Sequence, residues 1–327
     1  MEKSAPQYLC FGDFEFTCGG HIGIYNCEIL SVGIIICDRK YTVKEKFYCT
    51  TKPLKYPKLT KRCRELTHLS QEEINDSPDS NDVMQIVLGL MDRYSVSKIY
   101  VWGNFDKTGF LGDIKQHRKY SRDFSYIRKI QSKISDIQNR VTKKMCLPQA
   151  VNIEELASAF GFVPESGTFH NAYNDAVALY TICKTVYTTE FQKNENFIRL
   201  KENRIEKIEQ ARKDSEEKRL NLALSVVLSP EEKQYYETIS DGNHKSELDT
   251  FIFARARIIY VLNKYPDSEN FYLIIFSFPK DMRIIPESKF RNENDKIPPN
   301  IFKIERNNIG GILLTLCKSQ KIPALIQ

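Results

Sequence analysis

The sequence of 327 residues contains nine cysteines but no Cys-x-x-Cys pair. Such pairs are typical of zinc sites and redox motifs, and their absence argues against both. Several of the cysteines lie within apolar, strand-like runs. We therefore expect them to be small buried hydrophobic residues in a reducing compartment, without a disulfide framework.

Long apolar runs are absent as well. No run approaches the ~20 residues that a helix needs to cross a bilayer, and the first residues, MEKSAPQY, contain no apolar signal core. A strong excess of one charge is also missing, since 48 basic and 42 acidic residues give a net charge of +6. These absences predict a cytoplasmic protein without membrane contact, whose mild positive bias permits a nucleic-acid partner without requiring one.

Hydrophobic residues make up 41% of the chain, which is enough for a folded core. Three segments near the beginning are apolar or alternating and predict an antiparallel meander of strands, at 8–15, 26–37 and 42–50. A fourth strand is predicted over 98–102. Helices are predicted between and after these strands, and the last of them is a long apolar-periodic helix over 170–187.

The composition changes after this helix. Residues 191–220 are mostly charged and predict a solvated connecting helix, although apolar residues seven apart leave a coiled-coil dimer open. Farther along, Ser229-Pro230 predicts a helix start. A second helix, a strand pair around the turn 278–281 and an apolar segment over 309–316 complete a small α+β region. The predicted domains are 6–188, a charged helical linker over 189–222, and an accessory domain of unknown role over 223–327.

An Asp-x-Glu pair ends the first predicted strand. Residues two apart lie on the same face of a strand, so Asp13 and Glu15 point one way and Phe14 the other. Two neighbouring carboxylates repel each other unless a cation lies between them, and hard ions such as Mg²⁺ or Mn²⁺ prefer oxygen ligands. The pair predicts a metal site, although a solvated strand end would also carry two acids.

Three more residues stand at predicted element ends. Asp106 follows the fourth strand at a helix start, where α/β folds bind ligands, or else is an ordinary acid in a first helical turn. Asp175 lies in the first turns of the long helix, five residues after His170. A histidine on such a loop can take a proton from water near neutral pH, or can be a capping or surface residue. The remaining histidines have no comparable carboxylate set and are interpreted as structural or surface: His21, His68, His117 and His244.

Four carboxylates and one histidine at element ends are what two-metal phosphodiester hydrolysis requires. In this hypothesis one Mg²⁺ or Mn²⁺ ion is held by Asp13, Glu15 and Asp175. Asp13 is shared with a second ion roughly 3.5–4 Å away, which Asp106 holds through water. The first ion and His170 activate the attacking water, and the second ion stabilises the leaving oxygen.

The order Asp-x-Glu, Asp, His-x4-Asp resembles the DEDDh family of 3′→5′ exonucleases. FGDFEFTC, VWGNFD and HNAYNDA resemble its three exonuclease motifs. CRELTHLSQEEI is similar to a segment of the branch that contains the enhanced-RNAi-type and 3′ histone mRNA exoribonucleases. In that segment His68 replaces a glycine that suits a positive φ. The resemblance covers roughly residues 6–188.

The resemblance implies a ribonuclease-H-like α/β fold, with a mixed five-stranded sheet flanked by helices. The long charged helix and the α+β domain follow it here. It also implies that nucleoside 5′-monophosphates are removed from a 3′ end, with His170 as general base and four metal ligands: Asp13, Glu15, Asp106 and Asp175. The terminal nucleotide is expected against Phe16 and Thr17, with Leu66 wedged against a base. Many members have Ala or Thr where Phe16 stands, and this aromatic ring could stack on a base or belong to the core.

These residues predict a 3′→5′ exonuclease acting on single-stranded or frayed ends, with RNA slightly favoured because of the branch that the chain resembles. A proofreading-type or defence-type DNA exonuclease is the first alternative. A scaffold that only grips a nucleic-acid end is the second. The C-terminal region is a candidate for docking a protein partner or for forming a homodimer.

Overall fold

The computed structural model describes residues 7–165, 168–226, 228–240, 242–277, 281–290, 301–306 and 315–318. The chain divides into two compact units, Met1–Glu206 and Lys207–Gln327. Within the described ranges, no helix combines the length and the hydropathy that a membrane span requires.

The first unit is built on a five-stranded mixed sheet with the order β3-β2-β1-β4-β5. Its strands are β1 Tyr8–Phe16, β2 Ile29–Asp38, β3 Val43–Thr50, β4 Ile99–Val101 and β5 Ile134–Asp136. The first three strands pair antiparallel, which confirms the predicted meander. β4 and β5 join it in parallel. β5 is not among the strands predicted from the sequence, because three residues are too few to show a strand period.

Helices cover both faces of this sheet. They are α1 Lys61–Thr67, α2 Gln71–Asn75, α3 Ser80–Arg93, α4 Phe105–Lys119, α5 Ser125–Lys133, α6 Gln138–Lys144, α7 Ile153–Ala159 and α8 Ala172–Thr188. α8 begins two residues later than predicted, because the side chain of Asn171 caps it and accepts hydrogen bonds from the backbone N–H groups of Tyr173 and Asn174. His68 ends α1 with φ of 59°, the positive φ that its place in the family pattern implied.

The side chains of β1 alternate between two apolar cores. Phe11 packs on the face covered by α8, whereas Phe14 packs on the face covered by α3 and α4. The first core continues past the helix α8, because Phe191, Phe197 and Leu200 are buried in it. A 3₁₀ turn, Phe191–Lys193, and the start of α9, Glu195–Leu224, carry these residues. The packing of the first unit therefore extends beyond residue 188.

The second unit is α+β. It contains α10 Pro230–Ile239, α11 Lys245–Lys264 and a three-stranded antiparallel sheet of order β7-β6-β8, formed by β6 Asn270–Ser277, β7 Asp281–Pro286 and β8 Ile301–Glu305. Ser229 forms a capping box at the start of α10, with Pro230 in its first turn. The core of the second unit contains Phe251 and Phe271. Residues 278–280 of the predicted turn at 278–281, and most of the apolar segment 309–316, lie outside the described residues.

Candidate active site

Asp13 and Glu15 lie on one face of β1, as the strand period predicts. Phe14, on the other face, is buried, and its ring centroid is 4.8 Å from that of Phe110. This packing fixes the strand, so the two carboxylates are held on the face that α8 covers.

A glycine allows α8 to approach these carboxylates. Gly33 on β2 is paired with Asp13 on β1, and a Cβ atom built on it would lie 2.0 Å from the carbonyl oxygen of Ala172. Only glycine permits this contact between the sheet and the first turn of the helix. The close approach places Asp175, in that first turn, next to the two carboxylates of β1.

Asp106 reaches the same site from the end of β4. It lies in the first turn of α4 and is 5% exposed. The loop before it is held by Asp136, whose carboxylate accepts hydrogen bonds from the N–H groups of Gly103 (3.0 Å) and Gln138 (2.8 Å). The sequence analysis did not identify Asp136 as a positioning residue, because it lies at the end of the missed strand β5.

His170 is exposed on the loop that leads into α8, with φ of 59°. Its backbone N–H donates a hydrogen bond of 3.0 Å to Asp175 Oδ2. Asn174 braces the same loop by donating a side-chain hydrogen bond of 2.8 Å to the carbonyl of Thr168. One ring nitrogen of His170 and one carboxylate oxygen each of Glu15 and Asp175 lie within 4.8 Å of one another. The imidazole therefore stands at the rim of the carboxylate group.

We call Asp13, Glu15, Asp106 and Asp175 the carboxylate site. Burial, and then repulsion from the other members, raises the pKa values of Asp13 and Glu15 well above their usual range. Burial is also the main cause that raises the pKa values of Asp106 and Asp175, to about 7 in each case. Four carboxyl groups in mutual repulsion are stable only with bound protons or cations.

The carboxylate site fits a divalent metal ion. Its donors are carboxylate oxygens, which Mg²⁺ and Mn²⁺ prefer. Asp175 Oδ1 is buried and, among the described residues, has no hydrogen-bond partner. A buried carboxylate oxygen normally has such a partner or a cation. The orphaned oxygen and the repulsion among the four groups are both relieved by a cation held between them.

Two of the predicted substrate-binding residues have buried side chains. Phe16 is 5% exposed, and its ring packs at 5.8 Å from the ring of Phe105. Thr17 is 3% exposed, and its hydroxyl accepts a hydrogen bond from the N–H of Glu28. The Phe16 ring therefore belongs to the core, which is one of the two alternatives that the sequence left open. The contact of this segment with the terminal nucleotide stays a prediction. Leu66 is half-buried on α1 and stays a prediction.

A second ionisable cluster surrounds His117, which the sequence predicts to be a structural or surface residue. Its Nδ1 lies 3.1 Å from Asp113 Oδ1, and its Nε2 lies 3.1 Å from Asp79 Oδ1. We call these three residues the His117 cluster. Its histidine is 1% exposed. The i, i+4 spacing of Asp113 and His117 on one helix indicates that these two side chains are in contact. The distant Asp79 gave no signal in the sequence. His21, His68 and His244 are exposed.

The sequence is similar to a known family and to a known protein. A family model described as Exonuclease matches residues 11–183. The probable 3′-5′ exonuclease KapD of Bacillus subtilis (strain 168) is 28% identical over 180 residues, which make up 53% of this chain and 82% of that protein.

Two solved structures are similar to part of the chain. One is described as 3′-end specific recognition of histone mRNA stem-loop by 3′-exonuclease, with 17% identity, coverage of 55% of this chain and 63% of that chain, and a TM-score of 0.47. The other is the nuclease domain of 3′hExo, a DEDDh family member, bound to rAMP. It is also 17% identical, covers 55% of this chain and 92% of that chain, and has a TM-score of 0.47.

Proposed function

The chain belongs to the exonuclease family of RNase T type, and on that premise we propose that it is a divalent-metal-dependent 3′→5′ exonuclease. It hydrolyses phosphodiester bonds at the 3′ end of single-stranded or frayed nucleic acid and releases nucleoside 5′-monophosphates. The observation that carries this proposal is the carboxylate site itself. Four acids from β1, α4 and α8 converge there beside one exposed histidine, and one buried oxygen of Asp175 has no partner among the described residues.

The four acids and His170 have different proposed roles. Asp13, Glu15, Asp106 and Asp175 would hold two Mg²⁺ or Mn²⁺ ions. Such ions, when bound, stabilise charge on the reacting phosphoryl group and make a water molecule more acidic. His170 is exposed and not enclosed by the core, so its ring can accept the proton of the attacking water. Asp175 orients that residue through the hydrogen bond from the His170 backbone N–H.

RNA is the favoured substrate and DNA the alternative. The preference rests on the similarity of CRELTHLSQEEI to a segment of the exoribonuclease branch. Leu66, half-buried within that segment, is proposed to contact the terminal base. We place the enzyme in the cytoplasm on the basis of its sequence alone.

The test is a degradation time course on matched RNA and DNA oligomers, labelled at either end. With Mg²⁺ or Mn²⁺, a 5′-labelled strand should shorten stepwise, whereas a 3′-labelled strand should release labelled mononucleotide at once. EDTA should stop both reactions. Cleavage that survives EDTA, or that releases internal fragments first, would contradict the proposal.

A further inference from the structure

The second unit carries a groove of 650 Å³ between two helices and an edge strand. One side is formed by α9 through Ser215, Lys218, Arg219 and Leu222, and the other by α11 through residues from Phe253 to Val261. Each set recurs at helical spacing, so a single face of each helix lines the groove. Residues 283–285 of β7 also line the groove.

The chemistry of this groove combines positive charge with apolar surface. Its charged lining residues are all cations: Lys218, Arg219, Arg257 and Arg283. Between them lies an apolar floor that includes Ala256 and Ile284. Tyr260 is 55% exposed at the edge of the groove, and the Nζ atom of Lys264 lies 5.8 Å from its ring centroid. Such a lining suits a ligand with several negative charges and flat apolar groups, because the cations can bind the charges and the apolar surface can contact the flat groups.

A buried ion pair and neighbouring hydrogen bonds connect α9, α10 and α11. Arg255, which is 4% exposed, donates from Nε to Glu232 Oε1 at 3.2 Å and from its guanidinium to the backbone carbonyls of Ala223 and Val226. These bonds fasten α10 and the end of α9 to α11. The Arg219 guanidinium also lies over the ring of Phe253, at 4.9 Å. The two helix faces that line the groove are therefore fixed relative to each other.

We propose that this groove binds single-stranded nucleic acid and serves as a second binding surface for the strand that the first unit degrades. The proposal rests on the proposed function for the identity of that strand. Cations that follow a phosphate backbone, with an exposed aromatic ring that stacks on bases, form the recognition mode of sequence-tolerant single-strand binders. The volume lies within the range of small-ligand pockets, so it accommodates a nucleotide or two and not a duplex.

The experiment uses the full chain in EDTA, so that binding is measured without cleavage. The probe is a fluorescent 20-nucleotide single strand, followed by anisotropy at several salt concentrations. Lys218→Glu/Arg257→Glu should weaken binding by roughly tenfold or more and flatten its salt dependence. Lys213→Glu/Lys245→Glu, which makes the same charge change at exposed lysines outside the groove, should stay within about twofold of wild type.

Two further variants test stacking separately from charge. Tyr260→Ala should weaken binding by about fivefold or more, while Tyr260→Phe keeps the ring and should bind like wild type. Equal losses in the groove and control variants would overturn the proposal, because they would indicate a general effect of net charge. It would also be overturned if the groove variants kept their oligonucleotide affinity but lost affinity for an acidic peptide such as poly-glutamate.

A small substrate separates this inference from the function on which it rests. A p-nitrophenyl ester of a nucleoside 5′-monophosphate is a single nucleotide, so its hydrolysis does not depend on the binding of a strand at a second surface. The groove variants should hydrolyse it at the wild-type rate with Mn²⁺. Failure of the wild-type protein to hydrolyse either substrate would count against the proposed function, whereas unchanged strand binding by the groove variants would count against the groove.

Discussion

The carboxylate site and the His117 cluster both lie in the first unit and both bury ionisable groups, but only the second contains its own counter-charge. In the His117 cluster, one imidazole lies between two carboxylates at 3.1 Å from each. Burial alone lowers the pKa of His117, but hydrogen bonds to Asp113 and Asp79 outweigh that effect and raise it to about 10. The bond to His117 in turn helps to hold the pKa of Asp79 below its usual value against the effect of burial.

From this difference we infer that the His117 cluster is structural and that the carboxylate site is functional. Asp113 Oδ2 also lacks a hydrogen bond among the described atoms, yet the charge of its carboxylate is matched by the imidazole beside Oδ1. In the carboxylate site the pKa values of all four acids are raised instead. Buried groups of like charge with raised pKa values are typical of functional sites. A divalent cation is the partner that we propose for the carboxylate site.

The comparison is tested most strongly by removing one acid from each cluster. Asp13→Asn should reduce cleavage of a labelled oligonucleotide by about 10⁴-fold or more, because it removes the ligand proposed to serve both ions. The fold should persist, since the change relieves repulsion. Asp113→Asn is the matched control and should lose stability in urea unfolding while it keeps its turnover per folded molecule. Substantial activity in the Asp13 variant would break the distinction between the two clusters.

The two histidines should differ in the same way. His170→Asn should lower kcat by about 10²–10⁴-fold, because the amide cannot take a proton from water. Asparagine tolerates the positive φ of this position, so the loop should keep its shape. Strand binding in EDTA should be nearly unchanged.

His68→Asn provides the control for His170→Asn. This residue is also exposed and has the same φ of 59°, so the exchange changes the backbone to a similar degree. It should leave kcat on the p-nitrophenyl ester near the wild-type value. A kcat for His170→Asn within about twofold of wild type would assign the proton transfer to another group.

The sequence predicted the parts of this site that depend on local pattern. The strand period put Asp13 and Glu15 on one face, and helix-start signals placed Asp106 and Asp175 in first turns. It could not predict what depends on contacts between distant segments. The close approach at Gly33 requires the backbone of α8. The burial of Phe16 depends likewise on α4, whose rings enclose it.

The limits of the first unit were uncertain from the sequence for the same reason. A change in composition marks residue 189 as the start of a charged stretch, yet Phe191, Phe197 and Leu200 face the core. Sparse apolar residues in a charged helix resemble a solvated connection until their partners are known. Phe160, which stacks on Phe197 at 5.6 Å, is one such partner and stands 37 residues away in the chain.

Metal binding should stabilise only the protein whose carboxylate site is intact. At a free Mn²⁺ concentration of 100 times Kd, the free energy of unfolding should rise by about 2.7 kcal/mol. Each kcal/mol corresponds to an increase of about 2–4 °C in Tm for a unit of this size. The increase should persist in Asp113→Asn and disappear in Asp13→Asn. An equal increase in both variants would show that Mn²⁺ binds elsewhere.

The smallest effect is the pH dependence that His117 gives to the free energy of unfolding. It tests the other half of the comparison, the His117 cluster. The pKa of His117 in the folded protein is about 10, well above its ordinary value of 6.5. Its contribution is therefore complete below pH 6.5 and is lost as the pH rises toward 10. Between pH 7 and 9 the advantage of wild type over His117→Gln in urea unfolding should fall by about 2 kcal/mol. The difference between the two proteins isolates His117 from other groups that titrate there.

If that difference stayed constant over this range, the imidazole would be neutral in the folded protein. Asp79 and Asp113 would then be as uncompensated as the carboxylate site, and the lack of an internal counter-charge would no longer distinguish a metal site from a structural one.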